Sequence, residues 1–199
     1  STDFNAEVIK AAEAAIKSKI WRSETMQEWR EEDSIAQEYL ATILEVFYGY
    51  WTHTESGQAF YGEYQFNTRE KLKNGDPLGF GILEKIFPPY LDIPVRVSSS
   101  FSGTFTLSYK STKKYSGKTR YIKNATLTGI EDSNLEGNEL DNFLKGNKGN
   151  NNIDGRDGND TVVVEGNYNE YLLESLGSDL TLLDKIPDRD GRDILKNIE

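Results

Sequence analysis

The chain of 199 residues contains no cysteine and a single histidine, His53. Without cysteine it has no disulfide framework, no thiolate metal site and no cysteine nucleophile. One histidine excludes the H-E-x-x-H zinc motif, and no G-x-S-x-G sequence accompanies His53 to suggest a serine hydrolase. No run of 18 apolar residues occurs, so the sequence predicts no membrane-spanning helix.

The excess of acidic over basic side chains is confined to the C-terminal third of the chain. Residues 126–199 hold 17 acidic and 7 basic side chains, whereas residues 1–125 hold 16 of each, so the segment carries the whole net charge of -10. Such a segment repels nucleic-acid phosphates and anionic lipid, and it favours cations. We therefore expect no nucleic acid among the partners of this protein.

Residues 1–125 are predicted to form an α+β domain of unassigned role, with two N-terminal helices followed by antiparallel strands. Four apolar residues at helical spacing, Ile35, Tyr39, Ile43 and Phe47, predict the buried face of the second helix. From Phe47 onward the pattern favours two aromatic-rich strands around a turn at Glu55–Gly57, then a loop over residues 67–79. The sequence "IPVRVSSSFSGTFTLSY" predicts one or two further strands.

A nine-residue period begins after Leu127. The units are "TGIEDSNLE", "GNELDNFLK", "GNKGNNNID" and "GRDGNDTVV". Their eighth positions are aliphatic: Leu135, Leu144, Ile153 and Val162. Their sixth positions are Ser133, Asn142, Asn151 and Asp160. Glycine and asparagine tolerate the positive φ of tight turns, so the pattern predicts short strands with inward aliphatic residues, separated by turns.

These units resemble the RTX (hemolysin-type) calcium-binding repeats, whose consensus is G-G-x-G-x-D-x-U-x. The unit from Gly155 to Val163 matches the consensus best, whereas the two preceding units carry asparagine in place of the aspartate. The resemblance covers about residues 128–199. It implies a short parallel β-roll with a β cap in residues 126–199, following the α+β domain.

The resemblance also implies where calcium binds, because the family holds the ion between turns that lie two units apart on one edge. Here those turns are Gly137–Asn142 and Gly155–Asp160. The expected metal-site residues are Asp160, Asn142, Asp157, Asp141, Asn151, Gly137 and Gly155. Calcium prefers such oxygen ligands, and asparagine in place of aspartate lowers affinity because the ligand charge falls.

The opposite edge is expected to bind calcium weakly or not at all. It would pair the Asn151 turn with Ser133 or with residues around Asn167, and none of these supplies a carboxylate at the sixth position. One or two calcium ions are therefore expected. An asparagine-rich roll that folds without metal is the alternative. The tail that follows, with "DRDGRD" at 188–193, resembles the cap after a short RTX array.

The resemblance therefore implies a bacterial calcium-binding protein that is secreted or at the cell surface. In such a protein, calcium drives folding of the roll outside the cell, and the roll supports an N-terminal binding module. The alternative is a secreted hydrolase with catalytic carboxylates in the N-terminal domain, for which Glu55 and Glu63 are candidates. The aromatic residues around them are also compatible with binding a carbohydrate or another cell-surface ligand. The protein is more readily explained as a binding protein than as an enzyme.

Overall fold

A computed structural model describes residues 4–199, which divide into two units. The first unit comprises the chain up to Pro89 together with Ser111–Lys118, and the second comprises Tyr90–Lys110 together with Thr119–Glu199. The first division in the chain falls at Pro89, whereas the boundary expected from the sequence was residue 125. The reason is that the strands after Tyr90 pair with those of the repeat, as described below.

The first unit is helical. Its helices are α1 (Phe4–Lys17), α2 (Met26–Glu31), α3 (Ile35–Phe47), α4 (Arg69–Gly75) and α5 (Pro77–Ile86), and a short helical turn, α6, covers Ser116–Thr119. The predicted stripe of α3 is buried, since Ile35, Tyr39, Ile43 and Phe47 are at most 6% exposed. α2 and α3 are separate helices, because Asp33 between them has a φ of 55°, which is outside the range of a right-handed helix.

Residues 67–79 form two capped helices rather than the predicted loop. The side chain of Thr68 accepts a hydrogen bond from the Lys71 N–H at the start of α4. The side chain of Asp76 accepts a hydrogen bond from the Gly79 N–H at the start of α5, where Pro77 occupies the first helical position. Both are ordinary helix-start signals, in which a side-chain oxygen satisfies a free N–H of the first turn.

The prediction of two aromatic strands after Phe47 is wrong. Residues 48–66 form turns and one 3₁₀ segment, Phe60–Gly62, with only the isolated bridges Trp21–Tyr64 and Ala59–Tyr64. The aromatic side chains of this segment pack on one another instead, as in Trp51 and Phe60, whose ring centroids are 4.7 Å apart.

The second unit consists of two sheets. Its strands are β1 (Leu91–Val97), β2 (Gly103–Thr106), β3 (Ile122–Leu127), β4 (Ser133–Glu136), β5 (Phe143–Lys145), β6 (Asn152–Asp154), β7 (Thr161–Val162), β8 (Tyr171–Leu176), β9 (Asp179–Asp184) and β10 (Arg192–Lys196). One sheet has the order β1-β3-β5-β7 and the other the order β2-β4-β6-β10-β9-β8. From β3 to β7, successive strands alternate between the two sheets.

All pairs along the repeat are parallel, and the register aligns the aliphatic positions. Leu135 is paired with Ile153 on one sheet, and Leu144 with Val162 on the other. The first stack continues in both directions, to Phe105 of β2 and to Leu195 of β10. Because β1 and β2 also pair in parallel, with β3 and β4, the strands predicted as antiparallel in the N-terminal domain belong to this unit.

The chain after β7 closes this unit with an antiparallel hairpin, β8–β9, that is joined to β10. β10 then pairs in parallel with β6 and so occupies the place of a further repeat strand. Among residues 4–199, no helix has the length and apolar character needed to span a membrane.

Candidate metal centre

The structure brings the Gly137–Asn142 and Gly155–Asp160 turns together at one edge of the second unit. The backbone N–H of Asn142 donates to Oδ1 of Asp160 at 2.8 Å, and the Gly137 N–H donates to the carbonyl of Asp154 at 2.8 Å. A Cβ added to Gly137 would lie 2.2 Å from the carbonyl oxygen of Gly155, so the close approach of the two turns requires glycine.

Asparagine pairs stabilise two of the turns. Oδ1 of Asn142 accepts the N–H of Asn138, and its amide donates back to Oδ1 of Asn138 at 2.9 Å. Asn151 and Asn147 repeat this arrangement nine residues later, at 2.8 and 3.0 Å. Each pair satisfies a buried backbone N–H within its own turn, which a buried polar group requires.

The Gly155–Asp160 turn lacks this pair, because the position of Asn138 and Asn147 is occupied by Arg156. Arg156 has a φ of 79°, and its N–H donates to Asp154 instead. Oδ2 of Asp160 is consequently buried with no hydrogen-bond partner among the described residues, while the side chain as a whole is 0% exposed. A buried carboxylate oxygen without a partner is costly unless it binds a proton or a cation.

Burial, together with the nearby carboxylates of Glu199, Asp141 and Asp154, raises the pKa of Asp160 to about 6, against the opposing effect of the hydrogen bond from the Asn142 N–H. Glu199 also accepts the N–H of Asp160 at 2.7 Å. The edge thus gathers negative charge around one buried carboxylate, an environment that favours a bound cation.

The other expected site residues of this edge lie at its surface. Asp141 is exposed and accepts the N–H of Asn159 at 2.9 Å, whereas Asp157 is exposed at the tip of the Gly155–Asp160 turn. Both are therefore near the two turns, but neither lies beside Asp160 in the buried part of the edge. Gly137 and Gly155 are buried and act through their backbone.

On the opposite edge, the Asn151 turn lies between Ser133 and Asp193. The Asn151 amide donates to the carbonyl of Ser133 at 2.8 Å, and its N–H donates to Oδ1 of Asp193 at 2.9 Å. The partner on this side is thus Asp193 rather than residues around Asn167. Asp193 is 3% exposed, and burial raises its pKa to about 7. This edge therefore does contain a buried carboxylate.

The spacing Gly191-x-Asp193-x-Leu195 is the signal in the sequence that identifies Asp193. It matches Gly149-x-Asn151-x-Ile153, which precedes it by 42 residues, and Leu195 is in register with Ile153. A Cβ added to Gly191 would lie 2.3 Å from the carbonyl oxygen of Gly149, which shows that the two turns stack.

Over residues 4–199, carboxylates alone do not form a metal site. Among the residues that the structure describes, no three His, Asp or Glu side chains converge to hold a metal ion. Any cation at the Asp160 edge would therefore depend on backbone carbonyl and asparagine oxygens in addition to the carboxylate, a ligand set that calcium accepts.

The two buried aspartates make the second unit more stable at mildly acidic pH when no metal is present. Their pKa values of about 6 and 7 in the folded chain exceed the value of about 3.9 for an unfolded aspartate, so the folded chain binds these protons more tightly. We expect stability in chelator to fall as the pH rises from about 4 to about 7, through the two folded pKa values, by up to about 1.4 kcal/mol per pH unit for each group. Urea unfolding followed by far-UV circular dichroism measures this slope.

The variant with both Asp160→Asn and Asp193→Asn is the control, because asparagine already occupies the equivalent positions 142 and 151. The urea concentration at the midpoint of its unfolding should be nearly independent of pH over this range. The pKa of Asp184 is lowered by its hydrogen bond with Arg189, so the stability from that carboxylate is lost only below this range, as pH falls through its folded pKa. A wild-type slope equal to that of the double variant would contradict the prediction.

In the first unit, the candidate carboxylates Glu55 and Glu63 occupy different surroundings. Glu55 and His53 are exposed in the turns after α3, whereas Glu63 accepts a hydrogen bond from the Ser23 hydroxyl at 2.9 Å. Glu63 lines an open cleft of about 730 Å³ with Phe60 and Tyr61.

Comparison with known proteins gives no match to any protein-family model, to any curated protein or to any solved structure.

Proposed function

We propose that the second unit is a short RTX-like β-roll that binds calcium at the edge formed by the Gly137–Asn142 and Gly155–Asp160 turns, and that it supports a binding module in the first unit. The observation that carries the proposal is Oδ2 of Asp160, which is buried without a hydrogen-bond partner in the unit that best matches the repeat consensus. A divalent cation would satisfy this oxygen and lower the pKa of the carboxyl group.

The chemistry of the neighbouring groups supports calcium over other metals. The chain has no cysteine and one histidine, and the oxygen atoms near the Asp160 side chain include the Glu199 carboxylate and the backbone carbonyl of Asn197. Calcium takes six to eight such oxygens at about 2.3–2.6 Å, and it tolerates irregular geometry, whereas magnesium requires a near-ideal octahedron.

The asparagine turns limit the number of ions. Asn142 and Asn151 already exchange hydrogen bonds with Asn138 and Asn147, so these turns are satisfied without a metal. Calcium is then needed only where an aspartate replaces asparagine at the sixth position, at Asp160 and, by the same reasoning, at Asp193. This combines the two alternatives that the sequence leaves open: most turns are metal-free, and one or two bind calcium.

The proposal includes a location outside the cell, on the cell surface or in secreted form. Its support is the charge of -10 that resides in residues 126–199. Like charges repel in a medium poor in calcium, and an ion that binds only the folded chain stabilises it where calcium is abundant.

Isothermal titration of calcium into the chain at pH 7.5 tests the proposal. We expect one or two sites with dissociation constants of about 10⁻⁴ to 10⁻³ M, as for other extracellular calcium modules. The variant Asp160→Asn should lose the site at this edge or weaken it at least about tenfold, because it removes the charge of the buried carboxylate.

Asp188→Asn is the matched control, since it makes the same change at an exposed residue whose φ of 58° asparagine also tolerates. It should bind calcium as the wild type does. Magnesium at the same concentration should produce no comparable heat. Equal calcium affinity in the wild type and Asp160→Asn would refute the assignment of the site.

A further inference from the structure

The loop from Ala59 to Tyr64 in the first unit has an unusual backbone. Phe60, Tyr61 and Gly62 have consecutive φ values of 48°, 55° and 103°. Glycine adopts this region freely, but two aromatic residues do so only at a cost in free energy. Strained backbone of this kind persists only where the surrounding structure enforces it, and it is concentrated at functional sites.

The base of the loop enforces this conformation. Ala59 and Tyr64 exchange two backbone hydrogen bonds, at 2.9 and 3.2 Å, and both residues are 0% exposed. The carbonyl of Glu63 accepts the N–H of Arg22 at 2.8 Å. The buried base thus fixes the tip of the loop without any contribution from the Tyr61 side chain.

The Tyr61 ring is presented to solvent beside Trp51. Tyr61 is 100% exposed, yet its ring centroid lies 5.6 Å from that of Trp51 in an edge-to-face contact. Trp51 also contacts Phe60 at 4.7 Å and donates its indole N–H to Glu45 at 2.8 Å. The result is a positioned aromatic platform with an open face.

Polar groups surround this platform in the cleft of about 730 Å³. Besides Phe60, Tyr61 and Gly62, the cleft is lined by Arg22, Ser23, Glu24, Gln58 and Glu63. Two carboxylates face one guanidinium, a balance that disfavours phosphate and other anions. A polar lining around a few aromatic rings suits a ligand with hydroxyl groups on an apolar ring more than it suits an apolar peptide.

We propose that this cleft binds a neutral oligosaccharide, with one sugar ring stacked on Tyr61 and its hydroxyl groups bonded to Glu63 and its polar neighbours. The inference rests on the part of the proposed function that makes the first unit a binding module, and it names the ligand class of that module. It does not depend on calcium, because every residue that carries it belongs to the first unit.

Quenching of tryptophan fluorescence by hexasaccharides tests the proposal on the full chain. All three tryptophans, Trp21, Trp29 and Trp51, lie in the first unit, and Trp51 touches Tyr61. The probes are cellohexaose, laminarihexaose, maltohexaose and chitohexaose. We expect saturable quenching by at least one of them at micromolar to millimolar concentration, with the same affinity in calcium and in chelator.

The variant Tyr61→Gly separates a binding role from a structural one. It removes the stacking ring and relieves the left-handed strain, so affinity should fall at least about tenfold while the thermal midpoint stays the same or rises. Tyr50→Ala, which removes an exposed aromatic residue outside the cleft, should retain binding.

Either of two results would overturn this assignment: no saturable quenching by any of the four probes at millimolar concentration, or unchanged affinity in Tyr61→Gly. Binding of a proline-rich decapeptide, with no response to the sugars, would overturn it in favour of a peptide ligand. Because calcium titration of Asp160→Asn is read separately, failure of sugar binding and failure of calcium binding are distinguishable.

Discussion

Replacing Asp76 by alanine is expected to lower the free energy of unfolding of the first unit by about 3–7 kcal/mol. Oδ2 of Asp76 accepts the hydroxyl groups of Tyr39 and Tyr64 at 2.7 and 2.8 Å, and both tyrosines are 0% exposed. Its Oδ1 caps α5 through Gly79. Losing the cap costs about 1 kcal/mol, and each buried hydroxyl left without a partner costs about 1–3 kcal/mol.

Urea unfolding followed by tryptophan fluorescence measures this effect, since all three tryptophans lie in the first unit. Asp76→Asn is the conservative control and should cost less, because it keeps the acceptor for the cap. In a chain that already carries Tyr39→Phe and Tyr64→Phe, the change to alanine should cost about 1 kcal/mol, the cap alone. A loss in that background as large as in the wild type would contradict this explanation.

Replacing Ile153 by alanine is expected to destabilise the second unit by about 2–5 kcal/mol, the range for large-to-small changes in a packed core. Ile153 is 0% exposed and is paired in register with Leu135 on one side and Leu195 on the other. A cavity there interrupts the aliphatic stack between the repeat and its cap.

Native-state hydrogen exchange of peptides that cover residues 133–154 measures this loss in the second unit itself. Ile130→Ala makes the same chemical change at a residue that is 70% exposed, so it should shift stability by no more than about 0.5 kcal/mol. If Ile153→Ala costs less than about 1 kcal/mol, the aligned stack is not the core of this unit.

The repeat was the part of the fold most accessible from sequence. Its nine-residue period predicts which residues point inward, and Leu135, Leu144 and Ile153 are all at most 1% exposed, whereas Val162 in the last unit is only half-buried. The extent of the unit was less accessible. β1 and β2 lie outside the nine-residue period. Their pairing with β3 and β4 joins residues that are 30 or 31 positions apart in the sequence, which no local pattern encodes.

Two features of the candidate site were missed for different reasons. Asp193 lies 42 residues after Asn151, because the β8–β9 hairpin separates β10 from the strand it continues. Its spacing to Gly191 and Leu195 does repeat the pattern, so a search tolerant of insertions would find it. The unpartnered oxygen of Asp160 follows from Arg156, whose left-handed backbone turns its N–H away, and that conformation is set by the folded turn.

The aromatic loop after α3, residues 48–66, shows an error of another kind, because the sequence predicted strands where the structure forms turns. Tyr and Trp residues favour strands by propensity, but here they pack on each other. The sequence does contain the alternative signals, since Gly57 and Gly62 interrupt the segment and both have positive φ. Local propensity was outweighed by the packing of Trp21, Ala59 and Tyr64, which are at most 1% exposed.

A crystal structure of the chain grown with calcium, with anomalous diffraction data recorded at long wavelength, tests the calcium proposal most directly. We expect an anomalous peak about 2.3–2.6 Å from Oδ2 of Asp160, with backbone carbonyl oxygens of the Gly137–Asn142 and Gly155–Asp160 turns completing the coordination. Absence of a peak at saturating calcium, with Oδ2 of Asp160 bonded only to protein atoms or water, would contradict it.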